Sequence, residues 1–199
     1  MSADFFIGEK SIETELHAQA LGFEKIHFVK RISSLGEIKK GENCDAVLIE
    51  TESAELLRRM IDRASNFCKI ILVLGTNDKI NRIVLESRKA SALVSPEHWR
   101  KYDYMDRRNS GLNQVLCKIA RDNGKQIIAS FADILRMESR ERAILLGRIA
   151  QNMELCRKYN VRMKIGNFST EKGDIRSASE LKSFCAALGM STAQIKNAL

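Results

Sequence analysis

The stretch Lys69-Ile70-Ile71-Leu72-Val73-Leu74-Gly75-Thr76-Asn77-Asp78 decides the fold class. Ile70 to Leu74 run without a polar break. Gly75-Thr76-Asn77 closes them, and a helical pattern starts at Asp78 and carries Ile80, Ile83 and Val84. A strand that is apolar at every position has no solvent face, so it belongs in a parallel sheet covered on both sides. The same strand-then-helix unit recurs in both directions along the chain. Upstream lie Asp4–Gly8, Lys25–Lys30 and Ala46–Glu50; downstream lie Ala92–Ser95, Gln126–Ala129 and Val161–Gly166.

Helix signals fill the spaces between these runs. Ser11 is placed to cap a helix through Leu21, ended by Gly22. Ser53 precedes Leu56, Leu57, Met60, Ile61 and Ala64, which share one face. A helix over 112–122 presents Val115, Leu116, Ile119 and Ala120. A long helical region from about 133 to 158, interrupted near Ser139, carries Leu145, Ile149, Met153 and Cys156. Asn123-Gly124 reads as a helix C-cap, and shorter helices follow at Ser179–Leu188 and from Ser191. Seven strands, each followed by a helix, give either an open doubly wound sheet or a closed barrel. The high unit count and a first turn, Gly8-Glu9-Lys10-Ser11, without G-x-G-x-x-G favour the barrel. The expectation is therefore an α/β, TIM-barrel-like (β/α) fold with about seven parallel strands. No linker divides it, so residues 1–199 form one domain, with functional groups at the C-terminal strand ends.

Composition limits the chemistry. The chain has 199 residues, 44% of them hydrophobic, and a formal net charge of +8. Residues 1–95 hold 14 basic and 14 acidic side chains; residues 96–199 hold 19 and 11, so the second half carries the whole excess. A basic half on a folded protein points to a polyanion. No apolar run reaches the roughly 20 residues of a membrane span. The first ten residues lack signal-peptide character. Five scattered cysteines argue for reduced thiols in a cytoplasmic setting and against a disulfide framework or a zinc site. His17, His27 and His98 form no metal motif, and His27 sits in a strand as a core or rim residue. Glu50 and Glu52 lie at a strand end without a matched base. No nucleophile elbow or Walker loop is present.

Two basic loops remain. Glu97 to Arg108 mixes cations, Arg100 and Lys101 among them, with Trp99, Tyr102 and Tyr104; such a mix grips phosphates and stacks on unpaired bases. The alternative is a loop folded by its own salt bridges. The second site runs from Lys164 through Asn167, Ser169, Thr170, Lys172, Asp174 and Arg176, with hydroxyl, amide and cationic donors facing the barrel mouth.

The second half resembles protein component 3 of ribonuclease P, the thirty-kilodalton subunit of archaeal and eukaryotic enzymes. The resemblance covers about residues 72–199. It is carried in order by Ser95-Pro96, Arg108 to Lys118, Phe131 to Leu135, Glu141-Arg142-Ala143, Leu145-Leu146, Lys158 to Arg162, Glu171 to Arg176 and Leu188-Gly189-Met190. It implies a barrel-like fold and a chain that is not itself the nuclease. Catalysis would belong to the ribonuclease P RNA and its Mg²⁺, with no cofactor or metal on the protein. The implied partners are that RNA, the component 2 protein, other ribonuclease P subunits and the precursor tRNA substrate. Arg107, Arg108, Lys118, Lys172, Arg176 and Lys196 match basic family positions, and Arg82 lies in a region the family makes basic. With Arg100 and Lys164 these are the candidate RNA contacts, and Asp174 is expected to orient Arg176 or Lys172. Gly166-Asn167-Phe168-Ser169 departs from the family, which more often has small hydroxyl residues there. A second reading is a barrel enzyme on a small phosphorylated substrate, using Lys30 or Lys164 with Glu50 and Glu52.

Overall fold

In the computed structural model, residues 2–38, 45–98 and 102–199 are described. Seven strands run β1 (Ala3–Ile7), β2 (Lys25–Ile32), β3 (Ala46–Ile49), β4 (Ile70–Leu74), β5 (Ala92–Val94), β6 (Gln126–Ser130) and β7 (Arg162–Gly166). They pair in chain order, all parallel, from β1 to β7. Helices α1 (Ile12–Ala20), α2 (Ala54–Ala64), α3 (Asp78–Glu86), α4 (Gln114–Asp122), α5 (Phe131–Arg136), α6 (Ser139–Lys158), α7 (Ala178–Ala187) and α8 (Thr192–Ile195) follow their strands. This is the expected TIM-barrel-like architecture.

Local chemistry sets the boundaries. The side chains of Ser11, Ser53, Asn77, Asn113, Ser130, Ser177 and Ser191 each accept from a first-turn N–H of the helix they precede. Such a cap contributes about 1 kcal/mol. The long helical region is broken as expected: Met137 and Glu138 separate α5 from α6, and Ser139 has φ +39°. Gly124 closes the turn after α4 with φ +64°. Between β2 and β3 no α-helix is found among the described residues. There the described residues form only a 3-10 turn, Leu35–Glu37, and 39–44 lie outside the described residues.

Strand alternation divides the core in two. Val29, Leu48, Leu72, Leu74, Val94 and Ile128 pack inside the barrel with Phe168. Phe28, Val47, Ile71, Leu93 and Ile127 point outward beneath the helices, where Leu57, Ile80, Leu116 and Ile149 meet them. Burying each such side chain stabilises the fold by roughly 1.5–3 kcal/mol.

With seven strands instead of eight, the residues after β7 close the circle. Ser169 bridges Phe6, the Ile7 N–H donates to the Ser169 carbonyl at 2.9 Å, and the Phe168 N–H donates to the Phe5 carbonyl at 2.9 Å. Phe168 adopts φ +51° here, and its ring stacks on Phe5 at 5.0 Å. Phe5 stacks in turn on His27 at 5.6 Å, which places that histidine half-buried in the barrel. The C-terminus supports β7 through an Ile165 N–H to Ala198 carbonyl bond of 2.9 Å.

Candidate nucleic-acid interface

The loop between β5 and α4 folds over α6 on a buried polar network. Arg148 of α6 is 5% exposed, and its Nε donates to the Asp103 carboxylate at 2.7 Å. The Asn109 N–H reaches the same Asp103 oxygen at 2.9 Å. Burial raises the Asp103 carboxyl, but the Asn109 N–H and the Arg148 guanidinium outweigh it and hold it below the usual carboxylate range. Deeper in, Asn152 donates to the buried Glu97 carboxylate at 2.9 Å and to the Ser110 carbonyl at 3.0 Å. Gln151 donates to the Arg108 carbonyl at 3.0 Å, and Asn81 of α3 donates to the Gly111 carbonyl at 3.0 Å. The alternative of a self-bonded loop is met at these residues. The network holds the base of the loop and leaves its tip outside. Tyr102, Tyr104, Met105, Arg107 and Arg108 are exposed. Arg107 lies 4.8 Å over the Tyr104 ring and 3.1 Å from Asp106. The Arg108 guanidinium lies against α6 at Gly147, where a Cβ would fall 2.0 Å from its Nη1. Arg100, Trp99 and Lys101 lie outside the described residues.

The second loop starts at the barrel seam. Asn167 and Ser169, expected as open donors, are instead 1% and 2% exposed and belong to the closure. Asp4 of β1 accepts from the Asn167 N–H at 2.7 Å and from Nδ2 at 2.6 Å. Burial pushes the Asp4 carboxyl up to about 6 despite these bonds. Beyond the seam, Lys172 is ion-paired with Glu13 of α1, and that pair, chiefly through the Lys172 hydrogen bond, lowers the Glu13 carboxyl. The Arg176 backbone is held on both sides by the Asn167 amide, at 2.9 and 3.0 Å. Asp174 is exposed and makes neither expected contact among the described residues. Glu13 takes Lys172, and Asn167 sets Arg176, because the loop packs against α1 and the seam rather than on itself.

The remaining candidates do not converge. Arg82 is paired along α3 with Glu86 at 2.7 Å, Lys118 is exposed on α4, and Lys196 is exposed just past α8. Lys164 is not at the mouth. It pairs in register with interior Ile128 and lies half-buried inside the barrel, its ammonium lowered by burial and then by Arg162. Alternation from Gly166 and Phe168 would have placed it inward.

The mouth itself is a cleft of about 210 Å³, with Arg31, His98, Ser130, Asp133 and Arg136 above Ile7, Leu74 and Phe168. Arg31 pairs with Glu50 at 2.7 Å, and Ser95, at φ +46°, donates to Asp133 at 3.1 Å. Sequence reasoning missed Arg31, Arg136 and Arg148; the inward period of His27, Val29 and Arg31 is the signal that would have found the first. The enzyme reading loses its constellation, because Lys30 donates to the Glu37 carbonyl at 2.8 Å while Lys164 is inside the barrel. Among the described residues, no three metal-ligating side chains cluster, and no helix is long and apolar enough to cross a membrane.

Comparison with known proteins places this geometry. The ribonuclease P protein component 3 of Methanocaldococcus jannaschii is 29% identical over 159 residues, which is 80% of this chain and 66% of that protein. The component 3 of Thermococcus gammatolerans is 27% identical over 189 residues, 89% of this chain and 84% of its own length. The chain spans just under two thirds of the Methanocaldococcus protein and 62% of a Methanococcus maripaludis one. Among solved structures, a chain in the cryo-EM structure of archaeal ribonuclease P with mature tRNA superposes with a TM-score of 0.79 at 26% identity, over 98% of this chain and 85% of that one. Aspergillus niger ochratoxinase, at 13% identity and TM-score 0.56 over 78% of this chain and 38% of its own, shares the fold alone. The family model described as RNase P subunit p30 matches residues 14–199, and the chain therefore belongs to that family.

Proposed function

We propose that this protein is an RNA-binding subunit of ribonuclease P, supporting a catalytic RNA that removes the 5′ leader from precursor tRNA in the cytoplasm. The match along 98% of the chain to a protein of archaeal ribonuclease P carries this reading. The barrel is the scaffold, and the anchored loops are the contacts. Arg107 and Arg108, and Lys172 and Arg176, offset phosphate repulsion on two surfaces. Tyr102 and Tyr104 offer faces for unpaired bases. The hydrolytic step belongs to the RNA and its Mg²⁺; this chain holds the RNA fold and binds no metal of its own. Its partners are the ribonuclease P RNA, the component 2 protein and the other subunits, with precursor tRNA as the substrate of the assembly.

Reconstitution tests the proposal. RNA, component 2 and this protein together should cleave precursor tRNA, and leaving this protein out should raise the Mg²⁺ requirement. An unchanged requirement refutes it. Changing Lys172→Ala with Arg176→Ala should lower the slope of log affinity against log salt by about 1–2, near 0.7–0.9 for each phosphate no longer neutralised. An unchanged slope excludes both residues as phosphate ligands.

A further inference from the structure

Asn167 makes more bonds than barrel closure needs. Its backbone N–H and its Nδ2 both reach Asp4, and its carbonyl accepts from the Ala132 N–H at 2.9 Å, at the start of α5. Those bonds join β1, the end of β7 and α5. The rest of the amide is directed elsewhere. Oδ1 accepts from the Arg176 N–H, and Nδ2 also donates to the Arg176 carbonyl. We infer that Asn167 is a positioning residue for RNA binding: the buried seam at Asp4 fixes its amide, and the amide fixes Arg176 at the far end of the β7–α7 loop. The inference rests on the RNA-binding reading of that loop.

The orientation follows from hydrogen-bond inventory. An ionised carboxylate only accepts, so Asp4 requires the NH₂ side of the amide to face it. The oxygen is then turned toward the Arg176 N–H. Asparagine is the small side chain that donates to Asp4 and both donates to and accepts from one backbone residue. Serine or threonine lacks the second donor, and aspartate lacks both. Asn167 and Asp4 are 1% and 0% exposed, so water does not compete for these bonds. Between Asn167 and Arg176 the chain is tied again where Lys172 meets Glu13. The loop therefore presents its two cations from fixed points, and binding RNA has less chain to order.

The test measures binding of ribonuclease P RNA to the full chain, with thermal melts alongside. Arg176→Ala should weaken binding about three- to tenfold, the scale of removing one charge-assisted bond to a phosphate. Asn167→Ala should weaken it similarly, and adding it to Arg176→Ala should cost less than about twofold more. Losses that multiply overturn the inference, because Asn167 then acts independently of Arg176. If Arg176→Ala weakens binding and Asn167→Ala does not, the inference fails and the RNA reading of the loop stands. If Arg176→Ala binds normally, that reading fails first. The exchange Asp4→Asn with Asn167→Asp separates closure from positioning. It restores the donor–acceptor pairing across the seam but leaves the Arg176 carbonyl without a donor. Melting should return toward that of the unaltered chain while RNA binding stays reduced. Recovery of both would show that the seam acts through closure alone.

Discussion

Asp4 makes folding stability depend on pH in an unusual direction. Its carboxyl is buried in the seam and titrates near 6 in the folded chain, against an ordinary value of 3.8. At 1.36 kcal/mol for each pH unit, the rise corresponds to about 3 kcal/mol. Between these two pH values the folded state holds a proton that the unfolded state has released. The contribution is therefore fully present below about 3.8 and is lost as pH rises through 6. Asp103, Glu37 and Glu180 have lowered values and act oppositely, losing stability as pH falls. Subtraction isolates the one group. Urea unfolding of the unaltered chain and of Asp4→Asn should be followed from pH 3.5 to 7.5. The variant carries a constant penalty from its mismatched amide, but nothing that titrates at position 4. The stability difference, unaltered chain minus variant, should grow by about 3 kcal/mol on going from neutral to acid. A flat difference, or one that shrinks toward acid, would refute the assignment of a raised carboxyl to this seam.

Two further outcomes follow from the β5–α4 loop. Arg148→Met leaves Asp103 without its guanidinium and should cost about 2–3 kcal/mol. It should also open 102–108 to proteolysis, and an uncut, equally stable variant would contradict the anchoring network. Gly147→Ala should raise the melting temperature, since alanine is favoured over glycine in a helix interior by up to about 1 kcal/mol. The added Cβ displaces the flexible Arg108 guanidinium. RNA binding should therefore fall although the fold gains stability; unchanged binding would exclude Arg108 as an RNA ligand.

The fold was legible because two local signals agreed at each unit. Ile70 to Leu74 is apolar throughout, and Asn77 both ends the loop and caps α3. The same agreement placed Ser11, Ser53 and the break at Ser139. Barrel closure was not legible. It depends on Phe168 entering a left-handed conformation and on Asp4 meeting Asn167, and no local period encodes a meeting of residues so far apart. The site was half legible. Arg107 and Arg108 stand on an exposed loop tip, as their mixed polar and aromatic surroundings implied. Lys164 was misplaced because its charge was read ahead of its strand position; the two-residue alternation with Gly166 and Phe168 gives the inward face that the register with Ile128 shows. Arg148 was invisible because a buried arginine looks like a surface one until its acidic partner arrives from another loop.

The strand order from β1 to β7 has a consequence for how the chain assembles. Each strand pairs with the one just before it, so the sheet can grow by local additions, as a repeat array does. The seam is the exception, joining residues 163 positions apart. Bringing such ends together costs about 4–5 kcal/mol in loop entropy if nothing between them is ordered. Once the strands are stacked, most of that cost has already been met, so closure belongs at the end of folding and opening at the start of unfolding. The first unfolded form is then a curved open sheet with β1 and β7 as bare edges. Amides at Ile7 and Phe168 should exchange with solvent before those of β4. In a crowded solution, those edges are where a second molecule would pair.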